Sequence, residues 1–355
     1  MKIGIDARFY SSAFTGIGRY IFELIDHLLK KDGENEYVLF FNEPGFSAYQ
    51  PPRKGVLKVF AGMRHYSFEE QWRYARVIRE QCVDLMHFTH FNAPVLYRGP
   101  SVVTIHDLTL NMYPGKKMAR SWHRFAYHLV IRSVVRRSKR IIAVSEHTKR
   151  DVIRFLRADP GKIRVIHEGV NHAFHRLQDE RLVEEFLGRI ALASPYLLYT
   201  GVWRSHKNLV NLIKAFAILK KKHRFPGLLV ITGKEDPWYP EVQQAVREEN
   251  LEGQVRFTGL VPDEDLVLLY NGASAFACGV PVCAARSSCL PEICGEENAV
   301  FFDPHSPEDM AVKIASVYHD PRRAQELITR GYQRVKDFSW EKMALQTLEV
   351  YKESL

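Results

Sequence analysis

The sequence has few of the features that define several large classes of protein. Its five cysteines form no CxxC pair, and four of them fall within Cys278–Cys294 at spacings of five, six and five residues. These spacings disfavour zinc and predict reduced thiols. No run approaches the roughly 18 apolar residues of a membrane-spanning helix. The first residues, MKIGIDARF, resemble a strand rather than a signal peptide, so we expect a soluble cytoplasmic protein.

A glycine is missing from the loop after the first predicted strand, AFTGIGRY. Without the third glycine of GxGxxG, a dinucleotide-binding oxidoreductase is a poor fit. Gly16 and Gly18 would still let the backbone approach a ligand, and the helix that starts there offers N–H groups to a phosphate. Arg19 would add a charged contact. A plain tight turn is the alternative to this phosphate site.

Acidic residues are outnumbered in the first half of the chain. Residues 1–170 hold 28 Lys and Arg against 16 Asp and Glu, whereas residues 171–355 hold 22 against 25. This asymmetry predicts an anionic partner for the N-terminal half. The segment Met118–Arg140 is helical in pattern and basic at its end, which suits a solvated face, an anionic membrane or lipid-linked acceptor, or nucleic acid. No nucleic-acid recognition motif accompanies it, so we expect no nucleic-acid partner.

Short apolar runs alternate with helical patterns along the chain, which predicts parallel sheets covered on both faces. The first series of predicted strands is Lys2–Asp6, Tyr37–Phe41, Val56–Phe60, Leu85–Phe88, Ser101–Ile105, Arg140–Val144 and Ile163–Ile166. The helices predicted among them are Thr15–Lys31, Phe68–Gln81, Met118–Ser138 and Ser145–Leu156.

A second series of elements begins near Pro195. Its predicted strands are Tyr196–Tyr199, Leu228–Thr232, Val255–Phe257, Val280–Ala284 and Ala299–Phe302. Its predicted helices are Asn208–Lys222, Tyr239–Glu249, Asp263–Tyr270, Pro307–His319 and Pro321–Lys336. The weakly periodic stretch Glu168–Leu177 separates the two series. We therefore predict an N-terminal Rossmann-like domain over 1–170, a C-terminal one over 171–338, and a last helix within 339–355.

Two predicted strand ends carry polar residues where open α/β sheets bind ligands. The run VVTIHDL places His106 and Asp107 after one strand. A neutral His106 would donate to a sugar hydroxyl, and Asp107 would fix its tautomer or bind another hydroxyl. A His–Asp pair that caps a loop is the alternative. His87 and His90 end another strand, but no third ligand has a suitable spacing for a metal.

Basic residues follow the first strand of the second series, in YTGVWRSHKNL. Lys207 would neutralise charge on a diphosphate leaving group, and Arg204 is a second candidate clamp. A solvated Lys/Arg loop is the alternative for both. The triplet Asp263–Asp265 imitates a DxD metal motif, but it opens a predicted helix, where acidic residues complement the helix dipole. We therefore expect no metal site.

Taken together, these segments resemble the retaining glycosyltransferases of family four. The matching segments include TGIGRYIFEL, TIHDL, AVSEHTKRDV, VIHEGVN, YTGVWRSHKNL, VRFTGLVPDEDL, ACGVPV and FSWEKMALQTLEVY, in that order. The resemblance implies the GT-B fold, an α/β fold with two Rossmann-like domains whose parallel sheets face each other across a cleft. It places the acceptor on the N-terminal side and a nucleotide-diphosphate sugar on the C-terminal side. It also implies that the last helix crosses back to the first domain.

The family's site residues carry over to this sequence by position. Those that match donor-binding groups are Gly16, Gly18, Lys207, Leu260 and Val261. The resemblance implies that the glycines lie beside the donor phosphates, the lysine binds the pyrophosphate, and the leucine and valine stand where the base is held. His106 matches the histidine beside the transferred sugar.

Two departures accompany the resemblance. His206 stands where many relatives have arginine. More seriously, Phe276 runs straight into Ala277, whereas relatives carry a strand, a loop and a helix start at this junction. About 15–20 residues of the family pattern are absent, including two glutamates with seven residues between them. The resemblance implies that the first lies near the transferred sugar and that the second binds the ribose. Because a true deletion would remove a core strand, we favour a segment that exists but is absent from the recorded sequence.

We expect a cytoplasmic, metal-independent, retaining glycosyltransferase without a cofactor, peripheral at the inner membrane face. Its donor would be a nucleotide sugar, with GDP-mannose preferred, and its acceptor a lipid-linked or oligosaccharide intermediate of a surface polysaccharide. The leaving phosphate would assist the acceptor, so the protein mainly stabilises charge and orients the sugar. The alternatives are a non-catalytic sugar-nucleotide or lipid-binding protein and another GT-B enzyme, such as a sugar-nucleotide epimerase.

Overall fold

The computed structural model describes residues 1–10, 16–112, 121–171, 174–273 and 281–355. Within them the chain divides into two compact units, Met1–Gly169 with Phe338–Leu355, and Val170–Asp337. Parts of three predicted segments lie outside the described residues: the start of the glycine loop, the first residues of the basic helix and most of ACGVPV. In the described part, no helix combines the length and the apolar character needed to cross a membrane.

The first unit is built on a sheet of seven parallel strands. The strands are β1 (Lys2–Asp6), β2 (Glu36–Phe41), β3 (Val56–Phe60), β4 (Leu85–Phe88), β5 (Ser101–Ile105), β6 (Arg140–Ala143) and β7 (Ile163–Val165). Their order is β3-β2-β1-β4-β5-β6-β7, so the direction in which strands are added reverses between β1 and β4. Open α/β sheets bind ligands at the carboxyl ends of the strands beside such a reversal.

Helices cover both faces of this sheet. They are α1 (Gly16–Lys31), α2 (Gly45–Ala48), α3 (Ala75–Glu80), α4 (Thr109–Met112), α5 (Ser121–Arg137), α6 (Glu146–Leu156) and, from the end of the chain, α14 (Trp340–Lys352). In β2, Tyr37 and Leu39 join the apolar cluster that contains α1 and α14, whereas Val38 and Phe40 join the cluster that contains α5. The two faces alternate because successive strand residues point to opposite sides.

A chain of buried hydrogen bonds ties α14 to the sheet. The hydroxyl of Tyr351 lies 2.7 Å from His87 Nδ1, and His87 Nε2 lies 2.8 Å from Thr104 Oγ1. That threonine hydroxyl lies 2.9 Å from Tyr20 OH. Burial lowers the pKa of His87 to about 3, so its ring is neutral and donates from one nitrogen only. The network satisfies polar groups that would otherwise be stranded in an apolar core, and it fixes where α14 docks.

The second unit contains two small parallel sheets. Their strands are β8 (Tyr196–Thr200), β9 (Leu228–Thr232) and β10 (Val255–Gly259), and separately β11 (Cys283–Ala285) and β12 (Val300–Phe302). The first sheet has the order β10-β9-β8, and β11 pairs with β12. Leu197, Cys283 and Val300 nevertheless belong to one apolar cluster, so the two sheets share a core.

Seven helices of the described residues surround these sheets. They are α7 (Glu180–Arg189), α8 (Leu209–His223), α9 (Glu241–Glu248), α10 (Asp263–Gly272), α11 (Leu290–Cys294), α12 (Pro307–Tyr318) and α13 (Pro321–Val335). The shared core includes Ile213 and Phe216 of α8 and Ile314 of α12. Burying each such side chain contributes roughly 1.5–3 kcal/mol, so helix packing supplies much of the stability of this unit.

In the sequence Phe276 is followed directly by Ala277. Both residues lie outside the described part of the chain, so the interpretation that a further segment belongs at this junction stays a prediction. Among the described residues, β8 and β11 belong to separate sheets, and apolar side chains of both sheets share one core.

Candidate active site

His106 stands at the carboxyl end of β5, on the edge of the first sheet where ligands bind. Its Nδ1 lies 2.9 Å from Glu168 Oε1, and its Nε2 lies 2.9 Å from the carbonyl oxygen of Thr89. A carbonyl only accepts, so Nε2 carries a proton and donates it to Thr89. The ring of Tyr20 packs edge-on against the imidazole, with 4.8 Å between the centroids. Both ring nitrogens are therefore engaged within the protein.

Two opposing effects set the pKa of His106. Burial lowers this pKa, but the hydrogen bond and the charge of Glu168 outweigh burial and raise the pKa above its ordinary value. Asp107, the residue predicted to fix the tautomer, instead caps α4, because its Oδ1 accepts from the backbone N–H of Thr109 at 2.8 Å. The sequence pattern therefore pointed to the wrong carboxylate, and Glu168 is the partner of the ring.

A fully buried arginine on the same edge escaped prediction. The guanidinium of Arg8 donates to the Asp6 carboxylate at 2.8 and 2.7 Å and also pairs with Glu70. The ring of Tyr74 lies 3.9 Å from the guanidinium carbon, and the amide of Asn92 donates to Glu70 at 2.8 Å. Burial would lower the pKa of Arg8, but the charge of Asp6 helps to raise it. Because the protein occupies this guanidinium, Arg8 positions the loops around the site rather than binding a ligand.

The predicted glycine loop leads into α1. Gly18 is buried, whereas a Cβ on Gly16 would meet no described atom within 4 Å. The space beside Gly16 adjoins the first N–H groups of α1, which is the arrangement that suits a phosphate. Burial raises the pKa of Glu23, one turn further along α1, and the charge of Arg19 opposes that rise. Arg19 therefore acts on the same stretch of helix as the two glycines.

Three adjacent strands of the second unit end at glycines, namely Gly201, Gly233 and Gly259. Gly233 has φ of +114°, and a Cβ there would lie 2.0 Å from the carbonyl oxygen of Gly201. Its N–H donates to the carbonyl of Gly259 at 2.8 Å. Leu260 follows this edge with 75% of its surface exposed, whereas Val261 packs against the apolar cluster of α7 and α10. Leu260 and Val261, the residues predicted to hold the base, therefore lie next to strand ends where glycines leave the backbone without side chains.

Lys207 closes the short helical turn Ser205–Lys207 that follows β8, and its side chain is exposed. Burial raises the pKa of the Cys289 thiol beside α11, and the positive charge of Lys207 opposes that rise. Arg204, the second predicted clamp, pairs with Asp236. Between these two candidates, Lys207 is the one without a carboxylate partner among the described residues.

Two groups of acidic residues in the described part of the chain resemble metal sites but have structural roles. The triplet Asp263–Asp265 opens α10, as its structural interpretation predicts, and its last member lies 3.5 Å from Arg189. Over the described ranges, the one group of three potential metal ligands is Glu23, Asp26 and His27 on α1. Asp26 already has an ammonium partner at 2.7 Å. These acidic groups therefore open helices and form ion pairs.

Comparison with known proteins gives two family matches along the chain. The family described as Glycosyltransferase Family 4 matches residues 14–174, and the family described as Glycosyl transferases group 1 matches residues 185–276. The O-antigen chain mannosyltransferase B of Escherichia coli is 26% identical and covers 95% of this chain and 96% of its own length. That alignment spans 374 positions, more than the length of this chain, so the relative has residues that this chain lacks.

Solved structures share the fold over nearly the whole chain. Sucrose-phosphate synthase from Thermosynechococcus elongatus superposes with a TM-score of 0.78 at 20% identity, covering 99% of this chain and 98% of that one. The Anabaena protein HepE, in complex with UDP and glucose, gives a TM-score of 0.75 at 15% identity and covers 99% of both chains. The predicted GT-B fold is confirmed. The second family match ends at Phe276, the residue after which the predicted segment is missing.

Proposed function

Because the chain belongs to family four of the glycosyltransferases, we propose that it moves a sugar from a nucleotide-diphosphate donor to a lipid-linked or oligosaccharide acceptor, with retention at the anomeric carbon. One observation carries the donor side of this proposal: the exposed side chain of Lys207 follows the carboxyl end of β8 and has no carboxylate partner among the described residues. A lysine in the loop after a strand end can neutralise a diphosphate as the glycosidic bond breaks.

In the first unit, His106 is the residue proposed to contact the sugar, but both of its ring nitrogens already form hydrogen bonds within the protein. To bond to a sugar hydroxyl, the ring has to give up one of its two present hydrogen bonds. Glu168 is 33% exposed whereas the imidazole is 13% exposed, so the bond to Glu168 is the one that a ligand can reach. Displacing the carboxylate also removes the group that raises the pKa of His106. Because Nε2 keeps its proton for the carbonyl of Thr89, the neutral ring would then accept a hydrogen bond from the sugar hydroxyl through Nδ1.

Mannose, carried on GDP, is the donor that this proposal favours. The support for the sugar is the full-length similarity to the O-antigen chain mannosyltransferase B of Escherichia coli. In the proposal the reaction uses no metal and no cofactor. Lys207, Gly16 and Gly18 would bind the phosphates, with N–H groups of α1 supplying positive partial charge, and backbone beside Leu260 and Val261 would hold the base.

An anionic membrane surface is the proposed location of the acceptor, at the inner face of the membrane. Helix α5 exposes 70% of Phe125 and 46% of Leu129, four residues apart on one side of the helix. Arg132 and Arg136 continue this stripe and are exposed as well. Apolar side chains followed by arginines suit the boundary between lipid headgroups and acyl chains.

Turnover of purified protein tests the proposed function. The assay would supply GDP-mannose and other nucleotide sugars with a polyprenyl-diphosphate oligosaccharide as acceptor, and NMR of the product would report the anomeric configuration. The variant Lys207→Ala should lose roughly 10- to 100-fold in turnover, since a hydrogen bond to a charged group is worth about 1.5–3 kcal/mol. Lys214→Ala, which removes another exposed lysine of the same unit, is the matched control. Equal turnover in the two variants would exclude the pyrophosphate role of Lys207.

Donor binding without transfer is a second candidate, which the missing segment favours. Neither glutamate of the family's pair is present at the Phe276–Ala277 junction. The affinity of the protein for the ribose and the sugar of the donor should therefore be low. Calorimetric titration with GDP-mannose, in the preparation used for turnover, separates binding from catalysis. If the donor binds without product, inserting the corresponding segment of the Escherichia coli relative at this junction should restore turnover.

A further inference from the structure

A basic groove of about 790 Å³ lies between the C-terminal halves of α5 and α6 in the first unit. Its basic side chains are Arg132, Arg136, Arg154, Arg157 and Lys162. The carboxylate of Asp159 also lines it, but that group already accepts a hydrogen bond from the N–H of Gly161 at 2.9 Å. Five cations therefore line the groove with one carboxylate, so it holds a strong local excess of positive charge.

The groove lies at the opposite edge of the sheet from His106. Helix α5 leads into the amino end of β6, and α6 starts after the carboxyl end of β6 and returns toward the amino end of β7. The ends of these two helices therefore meet beside the amino ends of the strands, whereas His106 follows the carboxyl end of β5. A strand rises about 3.3 Å per residue, so the five residues of β5 span roughly 15 Å. The groove is thus separate from the candidate active site.

The four arginines of the groove lack counter-charges. Among the described residues, none of their side chains forms a hydrogen bond or an ion pair with the protein. Elsewhere in this unit Arg140 and Arg164 contact Glu353, whereas Arg64 and Arg98 are exposed without such a partner among the described residues. The clustering of four arginines in one groove is therefore what distinguishes this surface. Like charges that share one groove repel each other. A bound anion would remove that repulsion.

Capping of the C-terminus of α5 does not explain why these arginines cluster in the groove. Cations near a helix C-terminus are favoured by the helix dipole, but the end of α5 already has partners. Ser138 Oγ donates to the carbonyl of Val134 at 2.8 Å, and Lys162 Nζ lies 3.5 Å from the carbonyls of Arg136 and Ser138. The guanidinium groups of Arg132 and Arg136 are not needed for this purpose.

We propose that this groove binds a ligand that carries two or more phosphate groups. A guanidinium donates two parallel hydrogen bonds to phosphate oxygens, which makes a cluster of arginines a better phosphate site than scattered lysines. Its volume lies in the range of about 300–1,000 Å³ typical of small-molecule sites. A soluble diphosphate and the headgroups of an anionic lipid share this chemistry. Arg132 and Arg136 also belong to the stripe of α5 that is proposed above to meet an anionic membrane, but phosphate binding in the groove does not depend on the transfer reaction.

The floor of the groove is apolar, which allows for a ligand with a non-polar part. It is formed by Val135 of α5 together with Phe155, Leu156 and Ala158. Val135 is 3% exposed, and the other three are partly buried. Phosphates bound by the arginine rim would leave this floor in contact with the group that carries them.

Hydrogen–deuterium exchange and binding measurements test the proposal on the full chain. The probes are inorganic pyrophosphate and vesicles that contain cardiolipin, a lipid with two phosphates, with phosphatidylcholine vesicles as the reference without net charge. We expect at least one anionic probe to protect residues 132–136 and 154–162 from exchange. In the variant Arg132→Gln/Arg136→Gln/Arg154→Gln the dissociation constant of that probe should rise tenfold or more. Protection by pyrophosphate alone assigns a soluble ligand, and protection by vesicles alone assigns a lipid headgroup.

A matched control removes three exposed cations of the second unit, in Lys221→Gln/Lys222→Gln/Arg224→Gln. This control should bind within twofold of the unmodified protein. Thermal melts should show both variants folded, because all six side chains are exposed. Equal loss of binding in the two variants would reduce the effect to net charge and overturn the proposal, as would the absence of protection by either probe.

Discussion

Glu168 holds the imidazole of His106 through a hydrogen bond of 2.9 Å, although 62 residues separate the two in sequence. The other ring nitrogen donates to the carbonyl of Thr89. A doubly protonated imidazolium satisfies both partners, whereas a neutral ring would turn a bare nitrogen toward the carboxylate. The pair therefore joins the end of β5 to the segment after β7 and favours a charged histidine at the candidate site.

Replacing Glu168 with glutamine should destabilise the protein in a pH-dependent way. The raised pKa of His106 contributes stability that is fully present below the ordinary histidine pKa of about 6.5 and is lost as pH rises through the folded-state pKa. We expect Glu168→Gln to lower the free energy of unfolding by about 1–2 kcal/mol near pH 5.5, and by less near pH 8.5. Denaturant titrations at both pH values measure this difference.

The control for that prediction is Glu184→Gln, which alters an exposed carboxylate in the middle of α7. It should change stability by less than about 0.5 kcal/mol at either pH. An NMR titration of His106 adds a direct test, since its pKa should fall in Glu168→Gln. A pKa of His106 that is the same in both proteins would show that Glu168 does not control the ring.

Alanine at Gly233 should damage the edge of the second sheet. The backbone there has φ of +114°, and the new Cβ would lie 2.0 Å from the carbonyl oxygen of Gly201. Strain of this kind costs about 1–3 kcal/mol, and the clash adds to it. Gly253→Ala separates the two effects, because Gly253 has φ of +75° with no described atom within 4 Å of the built Cβ. Thermal and chemical unfolding should rank Gly233→Ala well below Gly253→Ala in stability.

Asparagine at Asp236 should show whether Arg204 can act as a phosphate clamp. Asp236 pairs with the Arg204 guanidinium and also accepts from the backbone N–H of Trp238 at 3.1 Å. Asparagine keeps an oxygen for that backbone bond but removes the charge that holds the arginine. If Arg204 binds the donor, Asp236→Asn should tighten the binding of a nucleoside diphosphate by about three- to tenfold, through the removal of a competing carboxylate. Unchanged or weaker binding in calorimetry would leave Arg204 with a structural role only.

Local patterns in the sequence predict most of the fold. The apolar runs of β1, β3, β4 and β5 give these strands their observed bounds, because each run is short and bounded by turn residues. The predicted helix Ser145–Leu156 corresponds to α6, whose N-terminus Ser145 caps by accepting from the N–H of Thr148 at 3.0 Å. Helix α7 was missed, although Asp179 and the apolar spacing of Val183 and Phe186 indicate it.

The contacts of the candidate site were harder to predict because they join distant parts of the chain. Arg8 and Glu70 are 62 residues apart, and no local periodicity brings them together. Asp107 was predicted as the partner of His106 because the two are adjacent in sequence. Glu168 was not considered, because its approach to His106 depends on the order of strands in the sheet. The division of the second unit into two sheets had no local signal, since edge and central strands have similar apolar runs.

Helix α14 gives the molecule an unusual order of assembly. The residues after Phe338 belong with Met1–Gly169, and Trp340, Met343 and Tyr351 complete the cluster beneath α1. During synthesis from the N-terminus, the first unit therefore emerges long before the helix that finishes it. The apolar face of the first unit that α14 covers therefore stays exposed to solvent until the whole second unit has been synthesised. A premature stop codon late in the gene would thus harm the part of the protein that was synthesised first.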